Sequence, residues 1–118
     1  MRAMTTVTEQ NPLSLEELRL MAERGFGDLV KAVVDLARGI MIVDSEMHAD
    51  QEAELIGGGS RQQDLWGINL YPDLPRDAWI EYDSMINLRP SFGNSSRGVD
   101  DPLTRDAIIA LVNRLVRR

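Results

Sequence analysis

Between residues 28 and 43 the chain reads DLVKAVVDLARGIMIV, and its apolar residues recur with the period of a strand. Val30, Ala32, Val34 and Leu36 alternate with Lys31, Val33 and Asp35, so one side of an extended segment is apolar throughout. After Ala37-Arg38-Gly39 the β-branched residues resume at Ile40. A short link ending in glycine between two such runs predicts an antiparallel hairpin, with Gly39 in the left-handed conformation that glycine adopts at little cost. A single helix over 29–43 is the rival, and Gly39 and the valines weigh against it. The chain must therefore be built around a sheet.

The flanking segments say what covers that sheet. In LSLEELRLMAERG, Ser14 can cap a helix, Glu17 completes a capping box, Leu13 can staple to Leu18, and Gly25 stops the helix after Arg24. Its apolar stripe is Leu15, Leu18, Met21 and Ala22. A short helix is predicted over 48–56, with Ala49, Ala53 and Ile56 as its apolar residues, ended by Gly57-Gly58-Gly59-Ser60. Two strands are predicted at 64–71 and 79–88, the second presenting Ile80, Tyr82, Ile86 and Leu88 on one face. The prolines of 72–77 require a loop between them, and residues 89–102 read as an irregular connection. A last helix begins at Pro102 with Asp101 as cap and runs to the C-terminus, with Ile108, Leu111, Val112 and Leu115 at helical spacing and Arg114, Arg117 and Arg118 in its last turn.

The order helix, two strands, short helix, two strands, helix predicts an α+β domain with an antiparallel sheet of about four strands and helices packed mainly on one face. Residues 1–12 are polar and aperiodic and are expected to form a flexible leader, with a single domain over 13–118. A chain of 118 residues, 43% apolar and 27% charged, is large enough for one core and has an ordinary globular composition. No apolar run is long enough for a membrane span or a signal peptide, so a cytoplasmic protein without a membrane partner is expected. The absence of cysteine removes disulfides, thiolate catalysis and thiolate zinc sites. The net charge of −6 and pI near 4.7 disfavour nucleic acid as a partner. The cations are twelve arginines and one lysine, Lys31.

Three strings carry a resemblance: MHADQEAEL, QDLWGINLYP and WIEYDSMINLRPSFGNSSRGVDDP. They are similar to the His-Ala-Asp-x-Glu segment, the Trp-Gly-Ile-Asn-Leu-Tyr-Pro strand and the Ile-Asn-[Ile/Leu]-Arg-Pro-Ser-x-Gly-Asn-x-Ser-Arg loop of a small prokaryotic domain family whose function is not established. With the hairpin and the last helix the resemblance spans about residues 29–116. It implies a grouping, with no activity, cofactor or residue role attached.

Three constellations remain as candidates for function. His48, the only histidine, lies among Glu46, Asp50, Glu52 and Glu54. On a helix, His48 and Glu52 share a face, so Glu46, His48 and Glu52, with Asp64 or Asp83, could ligate a metal in a hydrolase. No second histidine accompanies them, and acidic residues also suit a solvated helix start, which is the expected reading: no metal and no cofactor. His48 alone, as a base, lacks a nucleophile elbow beside it.

The second is the loop of residues 89–98, where Arg89, Ser91, Asn94, Ser95 and Arg97 with two glycines have the makings of an anion cradle, although a turn-rich loop whose arginines pair with Asp83, Asp100 or Asp101 would look the same. The third is polar residues inside expected strands, Asn69, Asp83, Ser84 and Asn87; Asn69, Asp83 and Asn87 would mark a binding face if they met near His48, which depends on strand order. The function expected is a non-catalytic binding domain holding a small anionic ligand or a protein partner at residues 89–98, with a homodimer allowed. The metal-assisted hydrolase and an acidic protein-interaction module are its alternatives.

Overall fold

The computed structural model describes residues 4–118, and the expected hairpin stands at its centre. Strands β3 (Val30–Asp35) and β4 (Ile40–Val43) pair antiparallel from Asp35 opposite Ile40 to Ala32 opposite Val43, and Gly39 turns the chain with φ of 66°. Before them come β1 (Thr5–Val7), β2 (Leu13–Ser14) and α1 (Leu15–Arg24). After them come α2 (His48–Gly57), β5 (Leu65–Leu70), β6 (Ile80–Glu81), α3 (Pro102–Leu115) and β7 (Val116–Arg117). The main sheet is antiparallel throughout in the order β1-β4-β3-β5-β6, and β2 pairs with β7 in a small parallel sheet. The architecture is α+β, as the order of elements predicts, with five strands in the main sheet where about four were expected.

Alternation along the strands divides the protein into two layers. Val30, Ala32, Val34, Met41, Val43, Ile68 and Leu70 face α1 and α3 in the principal core, which Leu18, Met21, Ile108, Leu111 and Leu115 fill from the helices. The opposite side of the sheet packs Val33, Ile42 and Leu65 against Leu55 of α2. Two helices thus cover one face and one covers the other. The capping box at α1 forms as predicted, with Glu17 N donating to Ser14 Oγ at 3.0 Å and Ser14 N donating to Glu17 Oε1 at 3.2 Å. No helix among the described residues is long and apolar enough to cross a membrane.

Three expectations are corrected. Thr5–Val7, expected in a flexible leader, add an edge strand to β4, with Val7 in the core; residues 1–3 of that leader lie outside the described residues. The last helix stops at Leu115, because Val116 and Arg117 extend to pair with Leu13 and Ser14. The strand expected over 79–88 ends after Glu81, and the chain then crosses above β5. Gly67 makes that crossing possible, since a Cβ on it would stand 2.6 Å from the Cβ and Oγ of Ser84.

Candidate functional site

The second helix is turned differently from its apolar pattern. Ala49, Ala53 and Ile56 are exposed, and the residues it buries are His48, Gln51 and Leu55. The reason lies in the sheet beneath, whose face there includes Lys31, Gly67 and Asn69 beside the apolar patch. Gln51 Nε2 donates to the carbonyl of Lys31 at 2.8 Å, just beyond the end of the β3–β4 ladder. His48 Nε2 donates to the carbonyl of Ile68 at 2.7 Å. A polar helix face is stable here because its donors meet backbone acceptors that would otherwise be buried without partners. His48, expected on a solvated helix start, is 7% exposed.

The segment after β6 is held by side-chain amides. Continued pairing would bring Asp83 opposite Gly67, but the carboxamide of Asn87 takes that place: Gly67 N donates to Asn87 Oδ1 at 2.8 Å, and Asn87 Nδ2 donates to Gly67 O at 2.9 Å. Asn87 Nδ2 also donates to the Arg97 carbonyl at 3.0 Å. Asn94 gathers the rest of the loop, with Nδ2 donating to the carbonyls of Asn87, Ser96 and Gly98 while Oδ1 accepts from Asp100 N. Arg89 is buried too. Its guanidinium donates to the carbonyls of Gln62 and Leu65 and lies 4.4 Å from the centroid of the Trp66 ring. Burial lowers its pKa from the usual arginine value.

In the loop of residues 89–98, the donors expected to cradle an anion at Ser95 and Ser96 are taken by the chain's own carboxylate. Ser95 N donates to Asp100 Oδ2 at 2.7 Å, and Ser96 Oγ donates to Asp100 Oδ1 at 2.5 Å. These two bonds hold the Asp100 carboxyl below its usual pKa. Ser91 is exposed at the far end. Arg89 and Arg97 therefore do not flank one pocket: the Arg89 guanidinium is spent on Gln62 and Leu65, the Asn94 amide on the loop's own carbonyls and Ser95 N on Asp100.

Arg97 points the other way. Its Nε donates to Asp83 Oδ1 at 2.7 Å, and with Lys31, His48, Asn69 and Asp83 it lines an open cleft of about 220 Å³. The convergence of Asn69 and Asp83 with His48 is the one the sequence made conditional on strand order. Asn87 lies below it, in the backbone-bracing role. Lys31, which sequence reasoning passed over, completes the cleft because the strand alternation that buries Val30 and Ala32 turns it to this face. Met47 and Met85 form the rim, 55% and 61% exposed.

Electrostatics set this cleft apart. Two cations face one carboxylate on a protein of net charge −6. Lys31 Nζ has no ion-pair partner among the described residues and sits 5.4 Å from the Phe26 ring centroid. Burial lowers the pKa of His48 from 6.5, and the cations Lys31 and Arg97 push in the same direction; the Ile68 bond and Asp83 oppose them. The folded state thus favours the neutral ring, whose Nε2–H donates to Ile68.

The sign of the pH effect follows. Because the folded pKa lies below the unfolded one, His48 contributes stability that is present above about pH 6.5 and is lost as pH falls towards the folded pKa. The histidine resonance is unique in this chain, so an NMR titration reads it directly, and a midpoint below 6.5 is expected. A midpoint above 6.5 would contradict the buried, cation-flanked placement.

Two other hollows are larger and more ordinary. One of about 810 Å³ lies beside Met4, Ser45, Glu46, Asp50 and Glu54, and its charged walls are acidic. Another of about 580 Å³ runs between β6 and α3, where Arg76, Asp77, Arg105 and Asp106 alternate in sign. The alternative metal set is not assembled. Among the described residues no group of three or more His, Asp or Glu side chains is gathered to hold an ion, and Glu46 faces the acidic hollow while His48 Nε2 is spent on Ile68.

Comparison with known proteins places the chain without giving it an activity. Searches of curated proteins and of solved structures return no match. A family model described as "Protein of unknown function (DUF5674)" matches residues 7–115, which span strands β3 to β6 of the main sheet and all three helices of the described residues, and the chain belongs to that family.

Proposed function

We propose that the protein is a non-catalytic binding domain, and that it holds the anionic group of a small ligand or partner in the cleft between the start of α2 and the segment of residues 83–97. The observation that carries this reading is the convergence of Lys31 from β3, Arg97 from the loop and the amino end of α2 on one cleft of an otherwise acidic protein. The N-cap of α2, Met47, makes no side-chain cap bond, so backbone N–H groups at the helix start are left for a ligand, while Asp50, the acidic residue of the first turn, lines the neighbouring hollow. Remote negative charge does not cancel this, because salt near 0.1 M screens charges beyond a Debye length of about 10 Å. The one hydroxyl in the lining belongs to Ser84, which is buried and accepts from Ile86 N, so it supports no nucleophilic role.

A thermal-shift screen against phosphate, sulfate, nucleotides and dicarboxylates tests the proposal. An anion at a hundredfold its dissociation constant adds about 2.7 kcal/mol of stability to the wild type, and Arg97→Ala and Lys31→Gln each reduce that gain. If no anion stabilises the wild type, or both variants respond as it does, the cleft is not an anion site. The acidic hollow beside Glu46, Asp50 and Glu54, as a docking face for a basic partner, then becomes the better reading.

A further inference from the structure

The cleft contains unpaired acceptors as well as cations. Asn69 is 7% exposed, and its amide orientation is fixed because both partners of Nδ2, Glu81 Oε1 at 2.8 Å and the Asp83 carbonyl at 3.4 Å, can only accept. Its Oδ1 is left buried with no partner. The neutral His48 ring, with its hydrogen on Nε2, carries a lone pair on Nδ1, which has no partner among the described residues. Asp83 uses Oδ1 for Arg97 and leaves Oδ2 unpaired. Of the three only Asn69 Oδ1 is buried, and a buried acceptor without a donor is costly and uncommon unless something outside the chain satisfies it. The Asp83 side chain is 47% exposed and, with His48 Nδ1, offers its lone pairs from the open side of the cleft.

A bare anion does not satisfy three acceptors. It pairs with Lys31, with the terminal guanidinium nitrogens of Arg97 and with the uncapped start of α2, and it leaves Asn69 Oδ1, His48 Nδ1 and Asp83 Oδ2 as they were. A primary ammonium has three N–H donors, one for each. Beside both sets of polar groups stand Met47, Met85 and Ile86. Methionine side chains adapt to varied apolar shapes, and exposed apolar residues around a polar cleft mark a binding rim. The volume, about 220 Å³, is below the range of roughly 300–1,000 Å³ usual for drug-sized ligands, so the occupant is small.

We propose that the cleft binds a free α-amino acid with an apolar side chain, its carboxylate held by Lys31 and Arg97 and its ammonium by Asn69, His48 and Asp83. This rests on the cleft being the binding site and adds the class of ligand. No bond is made or broken.

Isothermal titration at pH 7.5 with L-leucine, with 4-methylpentanoate, which lacks the ammonium, and with 3-methylbutylamine, which lacks the carboxylate, separates the two claims. L-Leucine is expected to bind at least tenfold more tightly than either analogue. Asn69→Ala should reduce its preference over 4-methylpentanoate. Because that substitution is buried and can unfold the protein, Lys31→Gln and Arg97→Gln on the open side give an independent reading, reducing the preference over 3-methylbutylamine. If 4-methylpentanoate binds as well as L-leucine, the ammonium pocket is refuted and the anion site stands. Equal binding of 3-methylbutylamine refutes the carboxylate half. If L-leucine does not bind while phosphate stabilises the protein, the ligand class is wrong, and if neither acts, the cleft itself is refuted.

Discussion

Asn87→Ala is expected to destabilise the protein by about 3 kcal/mol or more, since each buried polar group left without a partner costs about 1–3 kcal/mol and the substitution strands both Gly67 N–H and Gly67 C=O. Asn87 is fully buried, so water does not replace the lost amide without opening the packing around Ser84 and Ile86. The effect should spread, because the same carboxamide fastens the carbonyl of Arg97 and so positions the cleft. Asn87→Asp makes a sharper comparison. It keeps an acceptor for Gly67 N–H but directs a second oxygen at two carbonyls, and should be at least as damaging. Urea denaturation gives the stability, and amide exchange at Gly67 should accelerate in both variants. A loss below about half a kcal/mol, the scale of ordinary surface changes, would mean that Asn87 does not stand in for the missing strand.

Leu111→Ala should cost about 2–5 kcal/mol through lost transfer free energy and the cavity left behind. Leu111 is 1% exposed and faces the principal core together with Ile108, Val112 and Leu115. The loss should appear as a lower denaturation midpoint with an unchanged slope against denaturant. It should leave the cleft's ligand response intact in the folded protein, because α3 covers the opposite face of the sheet. Asn87→Ala should disturb both, and that contrast distinguishes the two layers. A loss under about half a kcal/mol at Leu111 would contradict the phase assigned to α3.

The parts of the fold that were legible in the sequence are those where local chemistry and tertiary packing agree. The hairpin around Gly39, the capping box at Ser14 and the start of α3 at Asp101 and Pro102 each carry their cause within a few residues. The phase of α2 was not legible, because Ala49, Ala53 and Ile56 look like a buried stripe until the polar face of β3 and β5 is in place. What selects His48 and Gln51 for burial is a pair of carbonyls about twenty residues away in sequence. The early end of β6 left a trace in Asp83, Ser84 and Asn87, which suit a strand poorly. Reading it required knowing that Gly67 would lie underneath.

The candidate site was legible in the same uneven way. Asn69, Asp83 and His48 stood out by residue type, and their convergence depended on strand order. Arg97 was singled out with Arg89, yet the two part company because Arg89 reaches the carbonyls of Gln62 and Leu65 while Arg97 turns to Asp83. The donors of the Ser95–Ser96 turn are met from within by Asp100. Lys31 was invisible as a site residue because its alternation with valine marked it as the outward side of a strand. That outward side is covered by α2.

The most direct test of the cleft as the ligand site is a pair of ¹H–¹⁵N NMR titrations, one with phosphate and one with L-leucine, followed residue by residue. At least one of them should give saturable shifts concentrated at Lys31, His48, Ala49, Asn69 and Asp83 and at the Arg97 side chain, with the residues of α3 unmoved. Shifts that saturate beside Glu46 and Glu54, or between β6 and α3, or that stay linear and scattered over the surface with both ligands, would contradict it.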